Sequence, residues 1–543
     1  MDLGQRIILF ICAVHAVALG CPPHCKCNNS DILCHKYKFQ DFPSPIPLNT
    51  NSLSVYNSDI TSLKTDDFKT SANLIALAIL GSKIRQVQPH TFDKTCNLIN
   101  LTLTSSQLSS LPEDLFQKLQ SLERLILSDN KLNALPLSLF ANLLALKVLD
   151  LRKNMLTSFP EKAFQGLTRL ENLVLQENNI DTLHAETFHE LHNLRVLSLK
   201  NNKLGLIPKK VFEHLVNLEV LHLQNNTITE LPAELFTHQQ KLQKLYLSNN
   251  LLSLLPEGIF LNMPSLQQIT LFDNKLQTLS PNTFGPMPLL QELWLYDNNL
   301  TRLDANVFSN LTHLKRLIPS RNQISSISPG AFNGLIELEE ISLQTNHLMN
   351  LDEGVFRGLP NLVNISLRNN QIQHLPGKLL NGLSSLKQLE LQNNSLSYLS
   401  KEILHSLTNE TNVVLSENPW RCDRDIVPLR DWLLGHQNKV NNASSLKCFS
   451  PSQLMNMTII NLKDYHFEPT TGFTTLFPTL SHKSTTVPVA NTTTLSDNKP
   501  PSLQWNKHMM IIAVVCAAVI LTISICVICY RRSKRHGSRN IEH

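Results

Sequence analysis

Leucines along the middle of the chain recur in a pattern that repeats every 24 residues. In one unit, Leu122, Leu125 and Leu127 have the spacing L-x-x-L-x-L, and Asn130 follows three positions later. Two-residue alternation is typical of a short strand with one buried face. A longer segment with one aromatic residue, here Phe140, completes the unit. The pattern therefore predicts a short strand followed by a return segment in every unit.

Two residue types hold this register along the chain. Asparagine marks thirteen units, at Asn130, Asn154, Asn178, Asn202, Asn226, Asn250, Asn274, Asn298, Asn322, Asn346, Asn370, Asn394 and Asn418. Phenylalanine also marks thirteen, at Phe68, Phe92, Phe116, Phe140, Phe164, Phe188, Phe212, Phe236, Phe260, Phe284, Phe308, Phe332 and Phe356. Leu380 and Leu404 extend the phenylalanine register, so the chain holds fifteen units. The pattern resembles the leucine-rich repeat.

This resemblance implies an α/β fold, a leucine-rich repeat solenoid that is curved and has a concave parallel sheet. One unit cannot bury its leucines alone, so the units must stack and the two ends need caps. We expect each asparagine amide to bond unpaired backbone groups of the neighbouring turn. Pro319 stands where the third leucine of its unit belongs. Because proline cannot donate to a strand ladder, we expect a local defect there.

The ends of the chain predict a membrane-anchored protein. Residues 1–20 have the features of a signal peptide. Residues 508–530 are predicted to form one transmembrane helix, and the basic cluster that follows places the tail, 531–543, in the cytoplasm. The expected segments between them are an N-terminal cysteine cap (21–50), fifteen repeats (51–411), a C-terminal cysteine cap (412–462) and a Thr/Pro-rich stalk (463–507). The prediction is a single-pass type I plasma-membrane protein with an extracellular ectodomain.

Charge and motifs narrow the possible functions. The net charge is +5, and the tail supplies +4 of it, from five basic residues and Glu542. The remainder is too neutral for a nucleic-acid surface. The sequence contains no H-E-x-x-H, G-x-S-x-G or phosphate-binding glycine motif, so we expect neither an enzyme nor a cofactor, metal or small-molecule substrate. His189 and His192 lie on return segments and are expected to be solvated rather than metal ligands.

Cysteines in an exported chain favour disulfides over zinc sites. Four cysteines precede the first repeat and allow three pairings: Cys21, Cys25, Cys27 and Cys34. Cys422 opens the C-terminal cap, and Cys448 follows it. Cys96 is the odd one, and we expect a buried small hydrophobic residue rather than an intermolecular bridge. Cys526 and Cys529, at the inner membrane edge, are candidates for palmitoylation or for ordinary membrane packing.

Eleven N-x-[ST] sequons predict N-glycosylation in an exported chain. They are Asn28, Asn100, Asn225, Asn299, Asn310, Asn364, Asn393, Asn409, Asn442, Asn456 and Asn491. Asn100, Asn225, Asn364 and Asn393 fall in concave strand positions or at their edge. The strands that hold residues 243–345 carry no sequon in those positions. A protein-binding face needs such a sugar-free interval.

Aromatic residues lie inside this interval, where the sheet should face water. Trp294 and Tyr296 alternate with inward leucines, and adjacent strands place further aromatic residues beside them. The candidate ligand-binding residues are Tyr246, Thr270, Phe272, Trp294, Tyr296, Lys315 and Arg321. We expect one aromatic cluster with a charged rim, the composition of a binding hot spot. The alternative is that aromatic residues simply favour strands.

Three motifs add a closer resemblance. "ELWLYDN" (292–298), "ISPGAFNGL" (327–335) and "NPWRCDRDIVPLRDWLL" (418–434) with "CFSP" (448–451) resemble the family of leucine-rich repeat-containing protein 15, and next that of platelet glycoprotein V. The resemblance to N-terminal repeat caps implies the pairs Cys21–Cys27 and Cys25–Cys34. C-terminal caps usually carry a second cysteine where this chain has Arg424, so one bridge, Cys422–Cys448, is expected.

The resemblance also implies a function. It suggests a cell-surface adhesion receptor that binds extracellular matrix proteins of the collagen, fibronectin and laminin class, and that supports cell–matrix interaction and migration. The alternative is a co-receptor or decoy that modulates another membrane receptor or a soluble ligand. In either case the expected partners are extracellular matrix or cell-surface proteins.

Overall fold

The computed structural model describes residues 20–441 and 443–467. The predicted signal peptide (apart from Gly20), transmembrane helix and tail lie outside these residues, as do the stalk beyond residue 467, Cys526, Cys529, Asn442 and Asn491. Within the described part, no helix has the length and apolar character needed to span a bilayer.

Short strands recur at the period of the sequence pattern. In chain order they are β1 (Cys25–Asn28), β2 (Asp31–Cys34), β3 (Ser52–Tyr56), β4 (Ser62–Leu63), β5 (Ala76–Leu80), β6 (Gln86–Val87), β7 (Asn100–Thr104), β8 (Arg124–Ile126), β9 (Val148–Asp150), β10 (Asn172–Val174), β11 (Val196–Ser198), β12 (Val220–His222), β13 (Lys244–Tyr246), β14 (Gln268–Thr270), β15 (Glu292–Trp294), β16 (Arg302–Leu303), β17 (Arg316–Ile318), β18 (Ser326–Ile327), β19 (Glu340–Ser342), β20 (Asn364–Ser366), β21 (Gln388–Glu390) and β22 (Asn412–Val414). The described residues form two α-helices. α1 (Lys401–Ser406) lies in the last repeat unit, and α2 (Val427–Gly435) lies in the C-terminal cap. Short 3-10 turns cover Thr65–Phe68, Arg424–Ile426, Gln437–Lys439, Ala443–Ser445, Ser452–Leu454, Ile459–Asn461 and Asp464–Phe467.

One long sheet of 18 strands runs through the described residues. From β2 onwards each strand pairs in parallel with the strand one unit later, and only β1 and β2 pair antiparallel. Two small two-stranded sheets, β4 with β6 and β16 with β18, lie on return segments. The result is a leucine-rich repeat solenoid, as the period predicts, of about 16 turns where the sequence register marks fifteen units.

The core forms because the middle residue of each three-residue strand points inward and is buried. In β15, Leu293 is fully buried while Glu292 and Trp294 are partly exposed. The phenylalanines of the return segments stack into a second buried row, with most neighbouring ring centroids 5.4 to 6.5 Å apart. Leucines and phenylalanines therefore fill the solenoid between the sheet and the return segments.

A ladder of buried asparagines ties each turn to its neighbours. The Asn250 Nδ2 donates to the carbonyl oxygens of Leu247 and Leu223, at 3.0 and 3.1 Å. Its Oδ1 accepts the N–H of Ile228 at 3.1 Å. The same bonds recur from Asn130 to Asn418. One side chain thus satisfies backbone groups in two successive units, as expected.

The strand pairing has a small defect at Pro319, as predicted. In the preceding unit, the Leu295 N–H donates to the Ile318 carbonyl oxygen at 3.1 Å. Pro319 lacks that N–H, and β17 pairs with β19 at two residues, whereas β15 pairs with β17 at three. Asn322 and Asn346 still donate to the Pro319 carbonyl oxygen, at 3.2 and 3.1 Å. The asparagine ladder therefore crosses the defect intact.

Both ends of the solenoid are closed. The disulfides are Cys21–Cys27, Cys25–Cys34 and Cys422–Cys448, the pairs that the resemblance implied. The C-terminal cap buries Leu429 and Leu433 of α2. It continues beyond residue 462, because Arg430 forms a 2.8 Å ion pair with Asp464 and its guanidinium lies over the ring of Phe467.

The expectation for Cys96 is wrong, because its free thiol is exposed. The residue lies on a return segment four positions after Phe92. The equivalent residues of later units, such as Leu144, Val216 and Ile336, are exposed as well. Position in the repeat, and not the apolar character of the side chain, therefore determines its burial.

We expect Asn250→Ala to lower the free energy of unfolding by about 3 kcal/mol, because buried backbone groups lose their partners. Denaturant unfolding of the full chain, followed by circular dichroism, measures the change. The matched control is Asn262→Ala, since Asn262 is exposed and makes no side-chain hydrogen bond within the described residues. Equal stability losses in the two variants would contradict the role of the ladder.

We also expect the native chain to react with a maleimide at Cys96, because this thiol is exposed and outside the disulfides. Peptide mass spectrometry after labelling without denaturant locates the adduct. Cys96→Ser removes that adduct and serves as the control. An unlabelled Cys96 peptide that reacts only after unfolding would show that the thiol is buried.

Candidate protein-binding face

The sheet face consists of the side chains that point away from the leucine core. They come from each strand and from two positions shortly after it, such as Phe272 and Asp273 after β14. The sheet face corresponds to the face that the repeat pattern predicts to be concave. The last of these positions is held in the left-handed backbone region in every unit, for example at Asp273, Asp297 and Arg321, with φ of 57°, 54° and 50°. This turn brings polar side chains beside the exposed aromatic residues of the strands.

Three aromatic side chains of the sheet face are in contact. Phe272 and Tyr296 stack with ring centroids 4.5 Å apart and planes 11° apart. Trp294 lies 6.2 Å from Phe272, with its plane tilted by 44°. All three are half-buried. Offset stacking adds about 0.5–1.5 kcal/mol per pair beyond burial, so the rings hold one another in place.

Arg321 completes this group from the next unit. Its guanidinium lies 4.9 Å from the centroid of the Tyr296 ring. It also donates two hydrogen bonds to the Asp297 carboxylate, each of 2.6 Å. These bonds raise the pKa of Arg321 above its usual value. We name Phe272, Trp294, Tyr296 and Arg321 the aromatic patch, because bidentate pairing and stacking fix the arginine rigidly.

Tyr246 does not join the aromatic patch, so the prediction of a single cluster is wrong. It stacks instead on His222, with centroids 4.5 Å apart and planes 1° apart. Its hydroxyl donates to the Gln268 Oε1 at 3.0 Å. Sequence reasoning missed His222, although it holds the same strand position as Tyr246 one unit earlier.

Thr270 and Lys315, two of the candidate ligand-binding residues, lie outside the aromatic patch. Thr270 lies between Tyr246 and Trp294 on one rung of the sheet, and only 3% of it is exposed. Its hydroxyl donates to the Ser248 Oγ at 3.3 Å, and it presents almost no surface. Lys315 precedes β17, where its Nζ forms an ion pair with Glu339 at 3.2 Å. Neither residue takes part in the aromatic patch.

Charges beside the aromatic patch neutralise one another. Arg316 bridges Glu292 and Glu340 on the adjacent strands, at 3.2 and 3.0 Å. The hydrogen bond to Glu292 is the main reason that the pKa of Arg316 is raised. Exposed pairs of this kind contribute little to stability, typically about 0–1 kcal/mol. Their main effect is to fix the position of charge on the sheet face.

Burial also shifts the pKa of two side chains of the sheet face, Tyr296 and His222. It raises the pKa of Tyr296, while the charge of Arg321 acts in the opposite direction. It lowers the pKa of His222, and the charges of Lys200 and Lys244 lower it further. At neutral pH both side chains are therefore uncharged, and the rings present neutral faces.

Four of the described sequons flank the aromatic patch on the sheet. Asn225 and Asn393 occupy exposed left-handed turn positions, and Asn100 and Asn364 begin β7 and β20. β13, β14, β15, β17 and β19, which lie between Asn225 and Asn364, hold none. The strands that carry the aromatic patch thus hold no sequon, while Asn299 and Asn310 lie between them, outside the strands.

The histidines that were not expected to bind metal, His189 and His192, lie on return segments. His189 packs against His214, with ring centroids 4.1 Å apart, and its Nδ1 lies 3.0 Å from a Glu186 carboxylate oxygen. Among residues 20–441 and 443–467, no group of three or more His, Cys, Asp or Glu side chains is arranged to hold a metal ion.

The chain belongs to the leucine-rich repeat family. The model of this family, "Leucine rich repeat", matches residues 120–180, 168–228, 216–276, 240–295, 270–318, 288–348, 312–372 and 360–419. The family fold is typically a binding scaffold and not an enzyme. The disulfides and the repeat type make this an extracellular-type domain of a secreted or cell-surface protein.

Comparison with individual proteins identifies relatives over short segments. The chain is 46% identical to human leucine-rich repeat-containing protein 15 over 44 residues, which is 8% of each chain. It is 34% identical to human leucine-rich repeat and immunoglobulin-like domain-containing nogo receptor-interacting protein 1 over 74 residues, 13% of this chain and 12% of that protein. These matches support family membership and do not distinguish one member from another.

A solved structure supports the fold over a longer range. The Drosophila Toll–Spatzle complex, in its glycosylated form, superposes with a TM-score of 0.65 at 24% identity. The match covers 77% of this chain and 61% of that one. At this identity the likeness concerns the solenoid alone.

The His222→Phe variant should lose stability less steeply than the native chain as the pH falls from about 7 to 5. A lowered folded-state pKa means that His222 contributes its full stability above the unfolded value of about 6.5 and loses it as the pH falls below that value. Phenylalanine keeps a ring against Tyr246 without titrating. Melting temperatures measured across this range test the prediction, with His238→Phe at an exposed position as the control. Identical slopes for all three proteins would refute it.

Proposed function

We propose that this chain is a single-pass cell-surface adhesion receptor that binds extracellular matrix proteins of the collagen, fibronectin and laminin class through its sheet face. In this role it supports cell–matrix interaction and migration. The aromatic patch is the observation that carries the proposal. Large rings that are half-buried and rigidly held lose little conformational entropy when they bind a partner.

The surroundings of the aromatic patch support a protein partner. Ion pairs such as Arg316 with Glu292 form a polar rim around the rings, and protein interfaces combine an apolar centre with such a rim. The five strands between Asn225 and Asn364 lack sequons, so a large partner can approach them.

The choice of matrix proteins rests on the resemblance of the cap and repeat motifs to leucine-rich repeat-containing protein 15. The 44-residue match to that protein is consistent with this choice. The cell-surface location rests on the apolar segment 508–530 and the signal-like segment 1–20. The disulfide caps support passage through an oxidising compartment.

The second candidate is a co-receptor or decoy that modulates another membrane receptor or a soluble ligand. One observation favours it, since a relative that is 34% identical over 74 residues has a name that describes interaction with a receptor. Binding that appears only when a membrane partner is expressed in the same cell would support this candidate. Binding to immobilised matrix proteins without such a partner would support adhesion.

The double variant Trp294→Ala and Tyr296→Ala should weaken matrix binding by at least about thirtyfold, because one hot-spot residue contributes about 2 kcal/mol or more and the contributions of neighbours do not simply add. Surface plasmon resonance on the immobilised full chain, with soluble collagen, fibronectin and laminin, measures the affinities. Tyr398→Ala is the matched control, since Tyr398 is a half-buried tyrosine outside the sheet. Unchanged affinity in a double variant that melts like the native chain would reject the aromatic patch as the site.

A further inference from the structure

Two successive units carry the same pair of neighbouring residues on the sheet face, an aromatic ring followed by an aspartate. The pairs are Phe272 with Asp273 and Tyr296 with Asp297. The rings stack on each other, and both aspartates have a left-handed backbone. The two pairs therefore present a ring and a carboxylate in the same arrangement, one strand apart.

The second pair shows what this arrangement binds. Arg321 donates two hydrogen bonds of 2.6 Å to Asp297 and places its guanidinium 4.9 Å from the Tyr296 ring centroid. Arg321 lies 24 residues after Asp297, at the same position of the next unit. The carboxylate accepts two hydrogen bonds from the planar guanidinium, and the aromatic ring packs against the flat face of the same group. Guanidinium groups favour this combination of contacts.

The first pair has the same groups without an arginine from the chain. The residue 24 positions after Asp273 is Asp297, so the next unit supplies a carboxylate instead of a cation. Asp273 is exposed and forms no ion pair or side-chain hydrogen bond with any described residue. On the side of Phe272 away from Tyr296, the equivalent position holds Ser248, a small buried residue, so no described ring lies against that face.

We infer that Phe272 and Asp273 bind an arginine side chain presented by the protein partner. The partner's guanidinium packs on the face of Phe272 that is turned away from Tyr296, whereas Arg321 packs on the face of Tyr296 that is turned away from Phe272. It pairs with the Asp273 carboxylate as Arg321 pairs with that of Asp297. Charge complementarity favours this occupant, because Glu292, Glu340 and Asp297 already form ion pairs with arginines of the chain while Asp273 forms none with a described residue. The inference rests on the proposed function, since it assigns the partner's contact at the same face.

The experiment uses the full chain, immobilised, and a probe of defined chemistry. The probe is streptavidin that carries four copies of the peptide Gly-Ser-Gly-X-Gly-Ser-Gly, where X is arginine, lysine, citrulline or norleucine. We expect the arginine probe to bind about tenfold more tightly than the citrulline probe, because citrulline keeps the shape of arginine without its charge. The lysine probe should bind less tightly than the arginine probe.

Variants assign this preference to the residues. Asp273→Asn should remove the tenfold difference, and Phe272→Leu should weaken binding of the arginine probe. Glu417→Gln should change nothing, because Glu417 is an exposed carboxylate at the same left-handed repeat position, after Ser416 and not after a ring. Arg321→Ala should increase binding of the arginine probe about twofold, because it frees the second pair for the probe.

The outcomes separate this inference from the proposed function. Equal binding of the arginine and citrulline probes, or a preference that survives Asp273→Asn, overturns the inference. If collagen, fibronectin and laminin fail to bind while the arginine preference still depends on Asp273, the proposed function fails and the arginine site stands. If matrix binding depends on Trp294 but the probes show no preference, the arginine site alone is rejected.

Discussion

The whole solenoid depends on pairing the backbone groups that each tight turn leaves inside the molecule. Leucines form the apolar core, but a turn buried against its neighbours would leave backbone N–H and C=O groups without hydrogen-bond partners and away from water. One asparagine amide per unit solves this, because it is both donor and acceptor and is short enough to reach two successive turns. The residues of the sheet face are therefore not needed for these backbone hydrogen bonds, and they can vary.

Most of the fold follows from the sequence because the period fixes it. A 24-residue register of leucine, asparagine and phenylalanine determines which residue of each strand is buried, and the strands appear where it places them. Even the break at Pro319 could be predicted, since the missing donor is a property of one residue type. The disulfide pairs needed the resemblance to known caps, because spacing alone leaves several pairings open.

The site was less predictable, because contacts on an exposed face depend on side-chain direction and size. Position in the repeat indicates that Tyr246 lies near Phe272, but not that it turns towards His222. Thr270 is polar and stands at an outward strand position, yet only 3% of it is exposed. Cys96 shows the reverse error, because the repeat register predicts its exposure and the apolar character of cysteine does not.

The regular strand spacing also sets a size for whatever docks on this molecule. Six strand-to-strand steps separate β12, the strand that precedes Asn225, from β20, which begins at Asn364. At about 4.8 Å per step, the distance along the sheet is about 29 Å. A folded module of about 100 residues has a radius of gyration near 13 Å, so its width is close to that distance. If Asn225 and Asn364 carry sugars, one such module fits between them and a second beside it does not.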